Sequence, residues 1–236
     1  MSVPLVDEAP AGTGRALVTG ASSGIGAAVV DRLLERGWQV LAASRTPPAR
    51  THARLAWRET DLAATDDIVA LAEAAGPLDA VVHAAGVQSS AVLGELDAAA
   101  GERMWRLHVQ APTELLNALV GSISDGGRIV LIGSRTSSGV AGKSQYAATK
   151  AALVGLARSW AMELAPRAIT VNVVAPGPTD TPMLADPARS STPPRVPPLG
   201  RLVRPSEVAG FTAFLLGPDG ASVTGQQLVI CGGASL

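Results

Sequence analysis

The sequence predicts an α/β fold: a single domain built on a doubly wound parallel sheet of about seven strands, with helices on both faces. Short apolar runs alternate with segments whose apolar residues recur at helical spacing, which is typical of parallel sheets. A glycine-rich turn, Gly20 to Gly26, directly follows the first apolar run. Because no internal repeat or linker divides residues 15–236, we expect one domain there, after a flexible leader over residues 1–14.

The predicted strands are short apolar runs between turn-forming or polar residues. They span Arg15–Thr19, Val40–Ala43, Ala53–Trp57, Leu78–His83, Arg128–Ile132, Ile169–Val174 and Gln227–Cys231. Ligands of such sheets bind beyond the carboxyl ends of the strands, so functional residues are expected directly after them.

The helices are predicted from apolar residues at a spacing of three to four. Ile25, Val29 and Leu33 keep this spacing up to Gly37, a predicted C-cap. Further helices are predicted over Asp66–Ala75, Glu102–Val120, Gln145–Leu164 and from Ser206, as N-cap, to Leu216. The proline-rich segment Thr179–Pro198 has no clear periodicity and is expected to form an irregular lid.

Composition excludes several classes of protein. No apolar run among the 236 residues reaches the roughly 18 that a membrane span needs, and the first 13 residues do not resemble a signal peptide. A net charge of −1 without a basic block argues against nucleic acid as the main partner. The lone cysteine, Cys231, excludes an internal disulfide and fits a reducing compartment. We therefore expect a cytoplasmic protein, and we predict no metal site.

The glycines of the first turn predict a phosphate site. Gly20, Gly24 and Gly26 follow a strand and open a helix, so the backbone can turn sharply and approach a pyrophosphate at the helix N-terminus. Their spacing is G-x-x-x-G-x-G, and a purely structural turn is the alternative. Asp61, after the third strand, either accepts a hydrogen bond from an adenine amino group or is an ordinary surface aspartate.

A second candidate site is the pair Tyr146 and Lys150. Tyr146 is the only tyrosine, and Lys150 is one of only two lysines against seventeen arginines. Residues four apart on a helix lie about 5–6 Å apart at Cβ. A free phenol has a pKa of about 10, and a nearby cation lowers that pKa toward the range that a general acid or base needs. The alternative is a surface lysine on an ordinary amphipathic helix.

The segment Thr19-Gly-Ala-Ser-Ser-Gly-Ile-Gly26, together with Tyr146-x-x-x-Lys150, strongly resembles the short-chain dehydrogenase/reductases. The resemblance covers nearly the whole chain after residue 14, through Asp61-Leu62, His83-Ala-Ala-Gly86, Ser134, Asn172, Pro176-Gly177, Thr181, Pro198–Arg201 and Thr224-Gly225. It implies a Rossmann-like fold, a homodimer or homotetramer, and hydride transfer between a nicotinamide cofactor and a small-molecule carbonyl or alcohol.

The resemblance also implies the roles of individual residues. Tyr146 exchanges a proton with the substrate oxygen, Ser134 donates a hydrogen bond to the same oxygen, and Lys150 holds the nicotinamide ribose and lowers the pKa of the phenol. Besides Tyr146 and Lys150, cofactor contacts are implied for Gly20, Ser22, Ser23, Gly24, Ile25, Gly26, Asp61, Leu62, Ala85, Gly86, Pro176, Gly177, Thr179 and Thr181. A plain Pro/Gly turn is the alternative for the last four.

Three positions depart from the family pattern. His108 replaces the usual asparagine of the long helix; it could substitute for it in catalysis, serve the substrate or simply pack. His83-Ala-Ala-Gly86 stands where the family usually has Asn-Asn-Ala-Gly, which puts one sheet-stabilising hydrogen bond in question. Cys231 replaces a common aspartate, and a buried, unreactive thiol is expected there.

The cofactor preference is predicted from the end of the second strand. Ser44 stands where NAD-dependent members usually carry aspartate, and Arg45 offers a planar fork suited to a 2′-phosphate. The glycine loop lacks the extra basic residue of some NADP-dependent members, and a solvated arginine is the alternative. We expect NADP(H), with NAD(H) still possible.

The substrate remains open at this level. Reduction of a 3-oxoacyl group or similar ketone is the first hypothesis, and dehydrogenation of a cyclic polyol or sugar is the alternative. Arg135, Arg189 and Arg195 could meet an anionic substrate or be solvated, and the lid has no aromatic residue for stacking on a large ring. A catalytically silent, nucleotide-binding regulatory protein is the hypothesis from another class.

Overall fold

The computed structural model describes residues 14–185 and 195–236, which form a seven-stranded parallel sheet with helices on both faces. The strands lie in the order β3-β2-β1-β4-β5-β6-β7. Their bounds are β1 Arg15–Thr19, β2 Gln39–Ser44, β3 Leu55–Glu59, β4 Leu78–His83, β5 Ile123–Ile132, β6 Thr170–Pro176 and β7 Gln227–Ile230. The order reverses between β1 and β4, and such a switch point opens a crevice at the carboxyl ends of the strands.

The helices are α1 Gly24–Glu35, α2 Thr65–Ala75, α3 Ala98–Trp105, α4 Ala111–Leu119, α5 Ser144–Leu164 and α6 Pro205–Leu216. Side chains alternate between the faces of each strand, so neighbours in β1 enter different cores. Leu17 packs with Leu115 of α4 and Leu153 of α5, whereas Val18 packs with Val29 of α1 and Val208 of α6. The two apolar layers fix the helices on either side of the sheet.

Only β1 and β4 have the predicted bounds, and two strands, β3 and β5, begin two or more residues away from their predicted starts. β3 begins at Leu55 because residues 52–54 form a turn, in which the amides of Arg54 and Leu55 donate to His52. β5 begins at Ile123 and takes in the glycines at 126 and 127, which read as a turn in the sequence. A register shift against β4 accommodates this extra length.

The predicted helix over Glu102–Val120 is a composite. It begins at Ala98, where the Asp97 carboxylate accepts from the amides of Ala99 and Ala100. Between α3 and α4 the backbone adopts a π-helix over Arg106–Gln110. The π-helix lies beside the crevice, a location where such helices are frequent.

The prediction of Ser206 as an N-cap is wrong. α6 begins at Pro205, so Ser206 lies inside its first turn, and Arg204 is the N-cap. The Glu207 carboxylate accepts from the Arg204 amide at 2.8 Å and forms an ion pair with Arg201. Proline at the first helical position needs no hydrogen-bond partner for its nitrogen, and the helix starts two residues earlier than it would with Ser206 as the N-cap.

Two predicted segments lie partly outside the residues that the structure describes. Of the leader over residues 1–14, residues 1–13 lie outside the described residues, as do residues 186–194 of the predicted lid, including Arg189. Within the described ranges, no helix has the length and apolarity that crossing a membrane requires.

Candidate active site

A cavity of about 1780 Å³ opens beyond the carboxyl ends of the strands. It exceeds the roughly 300–1,000 Å³ of drug-sized sites. Every loop that follows β1 to β6 lines it: Gly20–Gly26, Ser44–Thr46, Thr60–Ala63, Ala84–Ser89, Gly133–Thr136 and Gly177–Thr181. The cavity thus has room for an extended ligand together with a small second molecule.

The glycine loop forms one end of this cavity. Gly20 has a φ of +65°, and a Cβ there would lie 2.7 Å from the Ala85 nitrogen. A Cβ on Gly26 would overlap the Gly20 carbonyl oxygen. Only glycine fits at either position, and α1, which begins at Gly24, directs its N-terminus at the cavity. Such a helix end favours an anion such as pyrophosphate.

The end of β2 forms the adjoining wall. The Ser44 hydroxyl donates to the Thr46 carbonyl at 2.7 Å and accepts from Trp57 Nε1 at 3.2 Å. Arg45 is exposed and lines the cavity, and its side chain has no hydrogen bond or ion pair within residues 14–185 and 195–236. The Arg45 guanidinium is therefore available to a ligand.

The loop after β3 carries Asp61 and Leu62. One oxygen of the Asp61 carboxylate accepts from the Ala63 amide at 2.9 Å, which fixes the side chain in a turn. Leu62 is buried, and both residues line the cavity. A fixed carboxylate beside an apolar side chain suits the edge and face of a purine.

Tyr146 and Lys150 lie on one face of α5 and are both buried. The Lys150 ammonium lies 5.8 Å from the centre of the Tyr146 ring and donates to the Ile132 carbonyl at 2.9 Å. Burial lowers the pKa of Lys150 to about 7. A cation whose charge changes near neutral pH therefore stands beside the only phenol in the chain.

Ser134 follows β5 and lines the same cavity as Tyr146 and Lys150. Its Oγ accepts from the Thr136 amide at 3.1 Å and shares a short hydrogen bond with the Thr136 hydroxyl. Thr136 thus fixes the rotamer of Ser134. The structure brings the three predicted catalytic residues to one wall.

The loop after β6 completes the cavity. The amide of Asp180 donates to the Val203 carbonyl at 2.9 Å, which holds the buried Thr179 against the following segment. A Cβ on Gly24 would lie 3.2 Å from Thr181 Cγ2, so Thr181 lies against the glycine loop. All the residues predicted to bind the cofactor line this single cavity. Among the residues that the structure describes, no group of three or more His, Cys, Asp or Glu could hold a metal ion.

Comparison with known proteins decides the family. A family model described as enoyl-(acyl carrier protein) reductase matches residues 20–235. A short-chain dehydrogenase family protein from Francisella tularensis has a TM-score of 0.86 and 26% identity, covering 94% of this chain and 99% of that one. The 3-oxoacyl-[acyl-carrier-protein] reductase FabG of Vibrio cholerae is 33% identical over 234 residues, covering 92% of this chain and 96% of that protein.

This chain is a short-chain dehydrogenase/reductase. The cis-4-hydroxycyclohexanecarboxylate dehydrogenase of Sinomonas cyclohexanicum is 38% identical to it over 242 residues, covering 92% of this chain and 95% of the relative. The cyclic-di-GMP-binding biofilm dispersal mediator protein of Escherichia coli K12 is 37% identical over 228 residues, covering 92% and 94%. A blue fluorescent protein from a metagenomic library, solved in complex with NADPH, has a TM-score of 0.83 and 35% identity, covering 94% and 98%.

In this short-chain dehydrogenase/reductase, His108 is fully buried. Its ring stands edge-on to Tyr146 with the centroids 5.6 Å apart. Burial, and then the charge of Lys150, hold the pKa of His108 well below 6.5. The imidazole is therefore neutral at neutral pH. This favours packing and hydrogen bonding over proton exchange among the three roles considered for it.

The other two departures from the family pattern are also accounted for. His83 makes hydrogen bonds through both ring nitrogens, to the Thr19 hydroxyl of β1 and to the Leu107 carbonyl. The Cys231 thiol is buried as expected and lies 3.2 Å from the Ser235 hydroxyl. Burial raises the pKa of this thiol, but the hydrogen bonds from Ser235 and neighbouring amides lower it by more, so the pKa lies below its ordinary value.

Sequence reasoning missed three side chains of the site. Thr136 follows Ser134 by two residues, and this Ser-x-Thr spacing is a local signal for hydroxyls that bond to one another or to nearby amides. Thr149 stands three residues after Tyr146, so the helical period places it on the same side of α5. Trp57, which holds Ser44, gives no signal because β3 pairs with β2 only in the folded sheet.

Proposed function

We propose that the enzyme prefers NADP(H) and uses it to interconvert a ketone and a secondary alcohol, with reduction of a 3-oxoacyl or similar ketone as its principal reaction. The observation that carries the proposal is the single cavity that joins the glycine loop to Ser134, Tyr146 and Lys150. An assay that follows the absorbance of the reduced nicotinamide in the presence of a panel of ketones and alcohols tests this proposal. Absence of turnover with every 3-oxoacyl thioester, alicyclic ketone and sugar would contradict it.

The cavity fits a nicotinamide dinucleotide. The glycine loop leaves no space for Cβ atoms at Gly20 and Gly26 and presents the N-terminus of α1, as a pyrophosphate requires. Asp61 and Leu62 would hold the adenine, Lys150 the nicotinamide ribose, and the Thr179 backbone and Thr181 hydroxyl the carboxamide. The bound nicotinamide supplies or accepts the hydride.

The side chains of this enzyme handle the proton. In reduction, the Tyr146 hydroxyl gives its proton to the substrate oxygen while the carbonyl carbon gains the hydride; in oxidation both transfers reverse. Ser134 donates a hydrogen bond to the same oxygen as negative charge develops there. The Thr136 amide donates to Ser134 Oγ and so holds this oxygen in place at the cavity wall. The Lys150 cation stabilises the phenolate that remains.

The charge state of Lys150 predicts how reduction depends on pH. Its pKa of about 7 means that the cation is present below pH 7 and is lost above it. Since the cation supports the proton donor, we expect reductive kcat/KM to fall as pH rises through about 7, kcat/KM being governed by groups of the free enzyme. A pH series at constant ionic strength measures this. His52→Gln, which alters a half-exposed histidine outside the cavity lining, is the control, and a flat profile up to pH 9 would contradict the role of Lys150.

The substrate side of the cavity favours an aliphatic substrate with an anionic group. Its walls are mostly apolar and non-aromatic: Val140, Met183, Leu184, Val196, Pro197 and Leu236. Arg135, half-buried and directly after Ser134, has no side-chain hydrogen bond or ion pair within the described parts of the chain. A relative named for an alicyclic hydroxy acid supports the same substrate class and keeps dehydrogenation of a cyclic alcohol as the alternative reaction.

Arg135→Gln is expected to discriminate between anionic and neutral substrates. A hydrogen bond to a charged group contributes about 1.5–3 kcal/mol, so KM for an oxo acid should rise about 10- to 150-fold. KM for its uncharged methyl ester should stay nearly the same. Steady-state kinetics with the matched pair measures the difference, and Arg158→Gln, an exposed arginine outside the cavity, is the control. Equal changes for acid and ester would contradict an anion site.

A regulatory nucleotide-binding role is the second candidate. It is favoured by the 37% identity to a relative named as a cyclic-di-GMP-binding biofilm dispersal mediator. The joint presence of Ser134, Tyr146 and Lys150 at one wall favours the enzyme. Turnover with any substrate of the panel, lost in a Tyr146 variant, would decide for the enzyme. Binding of the cyclic dinucleotide without turnover would decide for the regulator.

We further propose that the enzyme is a cytoplasmic homodimer or homotetramer. Its single cysteine supports a reducing compartment. Trp105 and Met162, which are 44% and 73% exposed on α3 and α5, support an association of copies through these helices. Both are large apolar side chains of the kind that interfaces cover.

A further inference from the structure

The π-helix between α3 and α4 leaves one backbone carbonyl without a helical partner. The amide of Ala111 donates to the Arg106 carbonyl, five residues back. In this register the next donor would be residue 112, which is proline and has no N–H. The Leu107 carbonyl therefore receives no hydrogen bond from within its helix. Instead it accepts one at 3.1 Å from Nε2 of His83, at the end of β4.

The second nitrogen of His83 fixes its tautomer. The Thr19 hydroxyl accepts from the amides of Ala84 and Ala85 at 3.2 and 3.3 Å, which fills its lone pairs. Its proton is then free to be donated to His83 Nδ1, 3.0 Å away. Nδ1 is thus the acceptor and Nε2 carries the hydrogen, as the bond to Leu107 requires. Burial, and then the charge of Lys150, lower the pKa of His83 to about 3, so the ring is neutral.

His108, the next residue of the π-helix, carries the connection onward. The Val87 amide donates to its Nε2 at 3.1 Å, so Nδ1 holds the hydrogen and donates to the Thr149 hydroxyl at 2.8 Å. That hydroxyl donates to the Tyr146 carbonyl at 2.9 Å. The groups that face the His108 ring are Lys150 and Tyr146 of α5 and His83 of β4, and the first and last of these oppose its protonation.

We propose that His83 and His108, both neutral, act as one pair of positioning residues that joins the cofactor end of the cavity to the catalytic helix. The path of hydrogen bonds begins at Thr19, beside the glycine loop, crosses the π-helix and ends on the backbone of Tyr146. A side branch holds the Val87 amide, and a Cβ on the adjacent Gly86 would lie 2.8 Å from His108 Nε2. This inference rests on the proposed carbonyl–alcohol turnover. The pair orients Tyr146 and moves no proton itself.

Asparagine and glutamine variants make it possible to remove the hydrogen bond at Nδ1 or the one at Nε2 of each histidine separately. An asparagine amide reaches about where Nδ1 lies, and a glutamine amide reaches about where Nε2 lies. His83→Asn therefore keeps the Thr19 bond and loses the bond to Leu107, whereas His83→Gln does the reverse. His108→Asn keeps Thr149 and loses Val87, and His108→Gln does the reverse.

We expect the bond across the π-helix to matter most for turnover. Since a misplacement of about 1 Å can cost about 10²-fold, His83→Asn should lower kcat about 10- to 100-fold, and His83→Gln less than about threefold. The dissociation constant of NADPH should change little in either variant. The double variant His83→Asn/His108→Asn should lose less than the product of the single losses, because the path is already broken. Equal effects of His83→Asn and His83→Gln, or independent losses in the double variant, would overturn the proposal.

A measurement without turnover keeps this inference separate from the proposed function. With only three histidines in the chain, ¹⁵N–¹H spectra of histidine-labelled protein can assign each tautomer. We expect His83 as the Nε2–H form and His108 as the Nδ1–H form throughout the interval from about pH 5 to 8, in which free imidazole titrates. His52, half-exposed, provides the reference. The opposite tautomer or protonation of either ring would overturn the positioning pair even if the enzyme turns over.

Discussion

Tyr146→Phe is expected to lower kcat by about 10²–10⁴-fold, the usual contribution of a general acid or base. The change removes one hydroxyl and its proton but keeps the ring that stands 5.6 Å from His108 and 5.8 Å from the Lys150 ammonium. The cavity should therefore keep its shape, and the dissociation constant of NADPH should remain nearly constant. Stopped-flow turnover and cofactor titration measure the two quantities.

Lys150→Ala is the matched comparison for this experiment. Since Lys150 is expected both to hold the nicotinamide ribose and to support the phenolate, its loss should weaken cofactor binding as well as turnover. Because the chain has one tyrosine, the phenolate absorbance band reports Tyr146 alone, and a pH titration of this band in both proteins measures how Lys150 affects the phenol. A Tyr146→Phe variant that keeps more than half of the wild-type rate would exclude Tyr146 from the mechanism.

The bounds of a strand are predictable from the sequence where its apolar run and flanking turn residues coincide with the residues that pair in the sheet. β1 and β4 are buried apolar runs between clear turn residues, and both end where the sequence predicts. β3 was predicted two residues early because Arg54 and Leu55 bond to His52 in a turn, a choice that the sequence pattern does not show. The bounds of a strand at the edge of the sheet depend on which of its residues can pair with the neighbouring strand. The register between the two strands decides this pairing.

The π-helix shows a different limit. Its register depends on Pro112, visible in the sequence, and on a donor from β4 that only the folded chain supplies. Without that donor, a continuous α-helix was the natural prediction over this segment. The same limit applies to the hydrogen bond that His83 makes with the π-helix, because its partner, the Leu107 carbonyl, is 24 residues away.

The candidate site was predictable to the extent that its residues follow strands. Ser134, Asp61, Ala85, Gly86 and Arg45 all line the cavity because parallel strands end at one edge. The side chains that position these residues through hydrogen bonds were harder to predict. Trp57 and Thr136 act through hydrogen bonds to Ser44 and Ser134, so the positions of those two serines had to be known first.

Reversal of the proposed preference for NADP(H) is the second large effect that we expect. The exposed Arg45 guanidinium, without a partner in the described structure, is available to the 2′-phosphate of NADP(H). Since a hydrogen bond to a charged group contributes about 1.5–3 kcal/mol, Arg45→Ile alone should lower kcat/KM with NADPH about 10- to 150-fold. Its kcat/KM with NADH should remain nearly the same. Arg50→Ile, which removes a nearby exposed arginine paired with Asp31, is the control for general loss of positive charge.

Adding Ser44→Asp should complete the reversal. We expect a carboxylate at this position to turn from the Thr46 carbonyl, to which the Ser44 hydroxyl donates, and to keep the hydrogen bond from Trp57 Nε1 while it faces the ribose. There it accepts from the two ribose hydroxyls of NADH and repels a 2′-phosphate. Trp57→Phe in the double variant should weaken this gain, because the carboxylate loses the bond that orients it. Since these interactions are screened by salt, kcat/KM for both cofactors must be compared at one ionic strength. A wild-type enzyme that prefers NADH, or a double variant that still prefers NADPH, would mean that Arg45 points away from the ribose.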